Sequence, residues 1–272
     1  MGVKEFYIIT NRDKDPDMKA TLCVEEYLMS KGCAVKLAQE GAPGENTDLI
    51  LVLGGDGTLI RAAREALSFH IPIMGINIGT LGYLADSDLS GFKDSLNKYL
   101  SGDYELDRRM MLETRVIRNG EVIYESNALN DVVLNRHMNL SVMQFDVLID
   151  NDFLTSYTAD GVICCTATGS TAYSLSAGGP IIQPNARMLM ITPICAHSLT
   201  GRSIIFDESA EITFRLVDRN GTDRGGRGIW CDGDFGINLT ADDEIKVRAS
   251  EEMAVLVRTD RCGFVQRLRQ KM

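Results

Sequence analysis

Apolar positions along the chain follow two regimes. Up to about residue 100, short apolar runs alternate with stretches of helical spacing. Phe6 to Thr10 is a short β-rich run, and Asp15-Pro16 supplies an N-cap and a first helical residue. The helix that follows turns Met18, Leu22, Val24, Tyr27 and Leu28 inward and ends at Gly32. Ala34 to Leu37 and Asp48 to Leu53 read as strands two and three. A helix opened by Thr58 ends near His70, Ile71 to Ile76 is a fourth strand, and Ser87 caps a helix running to Leu100. Strands alternating with helices over short links predict a parallel, doubly wound sheet, with ligands at the carboxyl ends of its strands.

The second regime begins after Ser101-Gly102-Asp103. From Tyr104 the pattern is β-alternation with hairpin signals, including Asn119-Gly120 and Asp150-Asn151. Strand-like runs continue to Val257, and helical character returns from about Asp260 to Gln270. The expected organisation is an α/β domain over 1–102, an all-β domain of sandwich type over 103–258, and a C-terminal helix over 259–272 that packs back on the first domain.

Composition narrows the chemistry. A net charge of −10 over 272 residues argues against nonspecific binding to nucleic acid or to an anionic membrane. The N-terminus lacks the apolar core of a signal peptide, and no run approaches a membrane span. Seven cysteines without a CxxC pair read as reduced cytoplasmic thiols, and three histidines are too few to suggest a His-centred metal site. An acidic chain that binds a polyanion must use local devices: backbone N–H groups, a few Arg or Lys, and metal.

The third strand offers such a device. Leu49 to Leu53 stops at Gly54-Gly55-Asp56-Gly57-Thr58, where a helical pattern opens. Glycines let backbone approach a ligand closely, and a helix N-terminus favours anions. A carboxylate inside a phosphate cradle needs a purpose, such as a metal or a proton to accept. At this spacing a tight turn with a solvated Asp56 is an equal alternative. A second glycine turn, Asn77-Ile78-Gly79-Thr80-Leu81-Gly82-Tyr83, follows the fourth strand and is expected beside the first. Tyr83 can stack on a planar ligand or sit half-buried in its loop.

Two stretches of the β region are chemically loaded. Asn130-Asp131 places an amide and an acid between apolar runs, suited to neighbouring hydroxyls or an adenine edge, or to an ordinary turn. From Tyr157 to Pro180 a strand enters a turn packed with Thr, Gly and Ser and then a short helix bearing Tyr173. So many small hydroxyl residues suit a nucleotide pocket better than a core; a Ser/Thr-rich capping loop is the competing reading.

Together these residues resemble the NAD kinase family, whose members phosphorylate the adenosine ribose of NAD to give NADP. Gly-Gly-Asp-Gly-Thr is shared with 6-phosphofructokinases and diacylglycerol-type lipid kinases. The long segment from Asp160-Gly161 through Thr168-Gly169-Ser170-Thr171-Ala172-Tyr173 to Ala177-Gly178-Gly179-Pro180 separates NAD kinases from both. Ile191 to Leu199 and Asp232-Gly233 also resemble family segments. The resemblance implies a Rossmann-like α/β domain followed by a β-sandwich, with the active site between them. It implies Asp56 as general base on the ribose 2′-hydroxyl and Gly57 beside the dinucleotide. Gly54, Gly55, Gly57, Thr58 and Arg61 would contact the donor phosphates. Tyr83, Asn130, Asp131, Asp160, Thr168, Thr171, Ala172, Tyr173, Ser174 and Ser176 would line the NAD site. ATP or another donor, Mg or Mn, and a cytoplasmic homodimer or homotetramer complete the implied picture. Rival readings are a lipid or sugar kinase using the same turn and a non-catalytic dinucleotide-binding regulatory module. Four positions depart from the family pattern: Asp131 stands where Glu is usual, Ala167 where Pro is, Thr158 where many members carry a basic residue, and Asp234 where Gln is common.

Overall fold

The computed structural model describes residues 3–79, 82–137, 142–197, 201–217, 226–241, 243–260 and 263–271. Thr80 and Leu81 of the second glycine turn, and Ser198 and Leu199 of the family-like segment, therefore lie outside the described residues. The chain forms two compact units, Met1–Arg109 with Ala254–Met272, and Met110–Met253.

The first unit runs β1 (Glu5–Thr10), α1 (Lys19–Ser30), β2 (Ala34–Leu37), β3 (Thr47–Gly54), α2 (Asp56–Ala66), β4 (Ile73–Asn77), the two-residue β5 (Ser87–Asp88) and α3 (Phe92–Ser101). The second contains β6 (Glu105–Arg118) from Met110 onward, β7 (Glu121–Ala128), β8 (Asp131–Arg136), β9 (Met143–Ile149), β10 (Asp152–Ala159), β11 (Gly161–Cys165), α4 (Tyr173–Ser176), β12 (Met188–Ile194), β13 (Ile204–Asp207), β14 (Ile212–Leu216), β15 (Arg227–Cys231) and β16 (Asp234–Leu239). The long β17 (Asp243–Arg258) begins in the second unit and ends in the first, and α5 (Phe264–Lys271) closes the chain.

In the first unit β2, β1, β3 and β4 lie side by side, all parallel. Alternation decides which helix covers which face. Phe6, Ile8, Leu49, Leu51, Leu53, Met74 and Ile76 share one core with Val24 and Leu28 of α1 and Phe92, Leu96 and Tyr99 of α3. The opposite face receives α2, whose Leu59 lies against Gly75, where a Cβ would come within 2.4 Å of its Cδ1. With both faces covered, β3 is apolar without interruption from Leu49 to Leu53, as a buried parallel strand must be. The crossover from β1 runs to one side and that from β3 to the other, so the sheet has a switch point between the carboxyl ends of β1 and β3.

Three local expectations are corrected. Helix α1 begins at Lys19, after Met18 in the left-handed region; Asp15 still serves its N-terminus, accepting from Ala20 N, Thr21 N and Thr21 Oγ1 at 3.1, 2.9 and 2.7 Å. Leu22 points outward at 47 % exposure, and Thr21 takes the buried position. The third helix starts at Phe92, because Ser87 is in a strand and the Asp88 carboxylate organises the turn, accepting from Ser90 N and Gly91 N at 2.8 and 3.0 Å.

The second unit is a sandwich. One layer joins β10, β9, β14 and β17, and the other runs β13-β12-β11-β8-β15-β16, antiparallel throughout. Phe145, Val147, Phe214, Ile245 and Val247 face Val132, Leu134, Val162, Leu189, Ile191 and Ile229 in its core. The outer face of the second layer is also covered: Val133, Ile163, Cys165 and Met190 pack with Ala167, Ala177, Ile182 and Ala186. That second burial explains why β11 is a continuous apolar run. Asn119 and Gly120 adopt φ of 53° and 82°, the paired left-handed geometry of a type I′ hairpin.

Candidate active site

In the first unit the two glycine turns meet around one carboxylate. Helix α2 begins at Asp56, with Gly55 as its N-cap, so Thr58 is inside the first turn rather than capping it. The Thr58 hydroxyl accepts from Asn11 Nδ2 at 3.0 Å. Asp56 accepts from Tyr83 N at 2.7 Å and Leu84 N at 3.1 Å. Tyr83 thus contributes its backbone to the site. Two donors fix the carboxylate's direction and leave lone pairs for a third partner. Gly54, Gly55 and Gly57 make up the first turn, and Arg61 lines an adjoining cavity of about 200 Å³ with Asn11, Arg12 and Thr58 at the switch point.

The turn that holds Asp56 is itself held by the end of the chain. Arg258 Nη1 donates to Leu84 O and Ala85 O at 2.8 and 3.1 Å, and Arg267 Nη1 donates to Tyr83 O and Ala85 O at 3.2 and 3.0 Å. The buried Asp86 accepts from Thr259 N and Oγ1 at 2.7 and 2.6 Å. Carbonyls of residues 83–85 face guanidinium groups while the amides of 83 and 84 face Asp56.

In the second unit a cavity of about 500 Å³ is lined by Asn130, Asp131, Asn135, Arg136, His137, Ala172, Tyr173, Trp230 and Asp232 among others. Asp232, at φ 53°, aims its carboxylate at the backbone of the opposite loop, accepting from Leu129 N and Asn130 N at 2.7 Å each. Asn130 O in turn accepts from Thr166 N at 2.9 Å. Asp160 pairs with Arg136 Nη2 of β8 at 2.9 Å. Edge-to-face contacts of His137 with Trp230 and Phe235 form an aromatic wall.

The hydroxyl-rich loop divides. Ala172 and Tyr173 reach the cavity, whereas Ser174 is fully buried and hydrogen-bonded to Thr192 at 3.0 Å. Thr168 is buried, and Thr171 Oγ1 donates to Thr168 O at 3.3 Å. Ser176 is exposed and does not line the cavity. Ser174 therefore ties the loop to β12, Thr168 lies buried within it, and Ser176 lies outside the group the structure brings together.

Asp131 is 5 % exposed. Burial, and then the neighbouring Asp232 charge, push its pKa from 3.8 up to about 7. The unfolded chain ionises this group near 4 and the folded chain only near 7. Stability is therefore lost as pH rises between those values, and the loss is complete above them. Asp131→Asn should raise stability at pH 8 relative to pH 5 by roughly 2–4 kcal/mol, at about 1.4 kcal/mol per unit. Urea unfolding of both proteins at the two pH values measures it; a difference that does not change with pH removes the argument.

Comparison with known proteins agrees with both halves. The family models of the ATP-NAD kinase N-terminal and C-terminal domains match residues 34–104 and 129–259. The NAD kinase of Lachnospira eligens is 45 % identical, over 99 % of this chain and all of its own length. The chain belongs to the NAD kinase family. The NAD kinase of Lachnoclostridium phytofermentans is 37 % identical over 99 % of each chain. Among solved structures, yeast NADH kinase complexed with NADH covers 99 % of this chain and 87 % of its own, at 25 % identity and a TM-score of 0.85. An Archaeoglobus fulgidus NAD kinase in complex with ATP shares the fold, at a TM-score of 0.76, 23 % identity and 94 % coverage of each chain.

For a member of the NAD kinase family, several residues were passed over in the sequence. Arg136 and Trp230 sit on strands whose inward neighbours dominate the pattern, His137 directly follows β8, and nothing local marks them. Arg258 and Arg267 lie about 175–185 positions from the loop they hold. Asp232-Gly233 carried a signal, a turn dipeptide next to Trp230, without indicating which backbone it caps.

Proposed function

We propose that the chain transfers the terminal phosphoryl group of ATP to the 2′-hydroxyl of the adenosine ribose of NAD, giving NADP and ADP. The observation that carries this reading is the Asp56 carboxylate, oriented by two backbone N–H groups at 2.7 and 3.1 Å at the head of a helix. As general base it takes the hydroxyl proton. The ribose oxygen bonds the γ-phosphorus, and the bridging P–O bond breaks with its electron pair leaving on ADP. In-line positioning and charge neutralisation supply most of the rate in such transfers.

The cavity lined by Asn130, Asp131, Ala172 and Tyr173 takes the dinucleotide. With a pKa near 7, Asp131 donates as well as accepts at neutral pH, which suits the mixed edge of an adenine. Arg136 brings positive charge toward the pyrophosphate. Among the described residues no three His, Cys, Asp or Glu side chains gather as a metal cage. Mg²⁺ or Mn²⁺ carried by a triphosphate needs only one or two protein carboxylates, a requirement Asp56 fits, and when bound it neutralises phosphate charge. We further expect a cytoplasmic homodimer or homotetramer; a monomeric mass in solution would refute the oligomer.

Purified protein mixed with ATP, Mg²⁺ and NAD should form NADP, read by an NADP-specific dehydrogenase. Absence of NADP with both ATP and polyphosphate as donors would defeat the proposal. Arg267→Ala should lower turnover about tenfold, roughly 1.4 kcal/mol of barrier, by loosening the turn that presents N–H groups to Asp56. NAD affinity and circular dichroism should stay unchanged in that variant; unaltered turnover would show that the turn needs no such support.

A further inference from the structure

The loop between β1 and α1 places one cation over both glycine turns. Asn11 N donates to Leu53 O at 2.9 Å, continuing the pairing of β1 with β3 past the end of the strand. The Asn11 side chain then ties the loop in two directions. Its Oδ1 accepts from Asp13 N at 3.1 Å and Lys14 N at 3.2 Å, and its Nδ2 donates to Thr58 Oγ1 in the first turn of α2. Asp15, next along, is buried and anchored to Thr21. Lys14 is therefore held from both sides by its backbone.

Its ammonium goes where glycine leaves room. A Cβ built on Gly55 would lie 3.0 Å from Lys14 Nζ, and a Cβ built on Gly79 would lie at the same distance. One of these glycines belongs to each turn, so Nζ rests against bare backbone from both. Among the described residues Lys14 has no ion-pair partner. A second observation comes from the strand that leads into Gly79. Asn77 pairs with Gly54 across β4 and β3, is 2 % exposed, and neither its Oδ1 nor its Nδ2 has a hydrogen-bond partner among the described residues. Buried polar side chains are seldom left so unless a ligand or water completes them. Lys14 directly follows Asn11, Arg12 and Asp13, which line the cavity at the sheet's switch point, and Asn77 ends the strand that leads into Gly79.

We propose that Lys14 is a donor-phosphate residue, its ammonium neutralising charge on the terminal phosphoryl group of the triphosphate. This rests on the phosphoryl-transfer reading above and adds a cation to it. A chain of net charge −10 must attract a triphosphate with local positive charge, and an unpaired ammonium over the cradle is such a source. Lysine is the common point-charge partner of transferred phosphates.

The test compares Lys14→Met and Lys14→Arg in the full chain. Steady-state NADP formation is measured against ATP and against NAD, and binding of inorganic tripolyphosphate is measured by titration. Lys14→Met should lower kcat/KM for ATP by at least thirtyfold and weaken tripolyphosphate binding about tenfold, with KM for NAD unchanged. Lys14→Arg, which keeps the charge, should recover at least tenfold of the kinetic loss. If wild type forms NADP and Lys14→Met stays within threefold for ATP, the assignment is overturned while the function stands. A KM for NAD that rises as far as the KM for ATP also overturns it, because a merely structural lysine would act that way. If wild type forms no NADP, the function fails and tripolyphosphate binding alone decides Lys14: a tenfold loss supports it and an unchanged affinity removes it.

Discussion

Asp56→Asn should cut NADP formation by about 10²–10⁴-fold, the usual contribution of a general base, with NAD affinity held within a few-fold. The substitution is close to isosteric, and the carboxylate belongs to no core: the buried side chains of α2 are Leu59, Ile60, Ala62, Ala63 and Ala66. An amide keeps one carbonyl oxygen for Tyr83 N or Leu84 N and turns its NH₂ toward the other, losing one hydrogen bond. That loss is worth about 1 kcal/mol, too little to unfold a unit of this size. The proton-accepting lone pairs, by contrast, disappear altogether. Equilibrium NAD binding beside steady-state turnover separates the two effects. Turnover near the wild-type value would end the assignment of Asp56 as the base.

How far the sequence alone reaches differs between the two units. The α/β unit is legible because its strands are apolar runs bounded by glycine, proline and helical spacing, and β2 falls at Ala34–Leu37 as read. Helix starts are less so. Asp15 and Asp88 act through side chains on amides two to six residues ahead, so the residue that looks like a cap is not the one where the helix begins. The sandwich is legible from its hairpin turns and alternation. The burial of β11 on both faces shows in its unbroken apolar run, but the segment that covers the second face is recognisable only in three dimensions.

Site residues divide by a related principle. Those that offer backbone, such as Gly54 and Gly55, betray themselves by being glycine in a short span. Hydroxyl residues are ambiguous, since Ser174 is buried with its hydroxyl bonded to Thr192 of β12, Thr168 is buried, and Ala172 and Tyr173 meet the cavity. Charged residues brought from distant segments leave no local mark. Arg136 reaches Asp160 across adjacent strands, and Arg267 reaches Tyr83 across most of the chain.

Gly82→Ala should be nearly as damaging as loss of the carboxylate itself, lowering turnover by at least about 10²-fold. A Cβ at this position would stand 1.9 Å from Asp56 Oδ1, 2.2 Å from Cγ and 2.4 Å from Oδ2. No side chain tolerates such distances, so either the carboxylate swings away or the turn retreats and withdraws the amides of Tyr83 and Leu84. Overpacking of this kind costs roughly 1–3 kcal/mol, which lowers the melting temperature by a few degrees without unfolding the protein. The double variant with Asp56→Asn decides the route of the damage. Two changes acting through one carboxylate cannot each exact their full loss, so the pair should be little worse than Asp56→Asn alone. Losses that multiply would mean that Gly82 serves catalysis by some path other than its contact with Asp56.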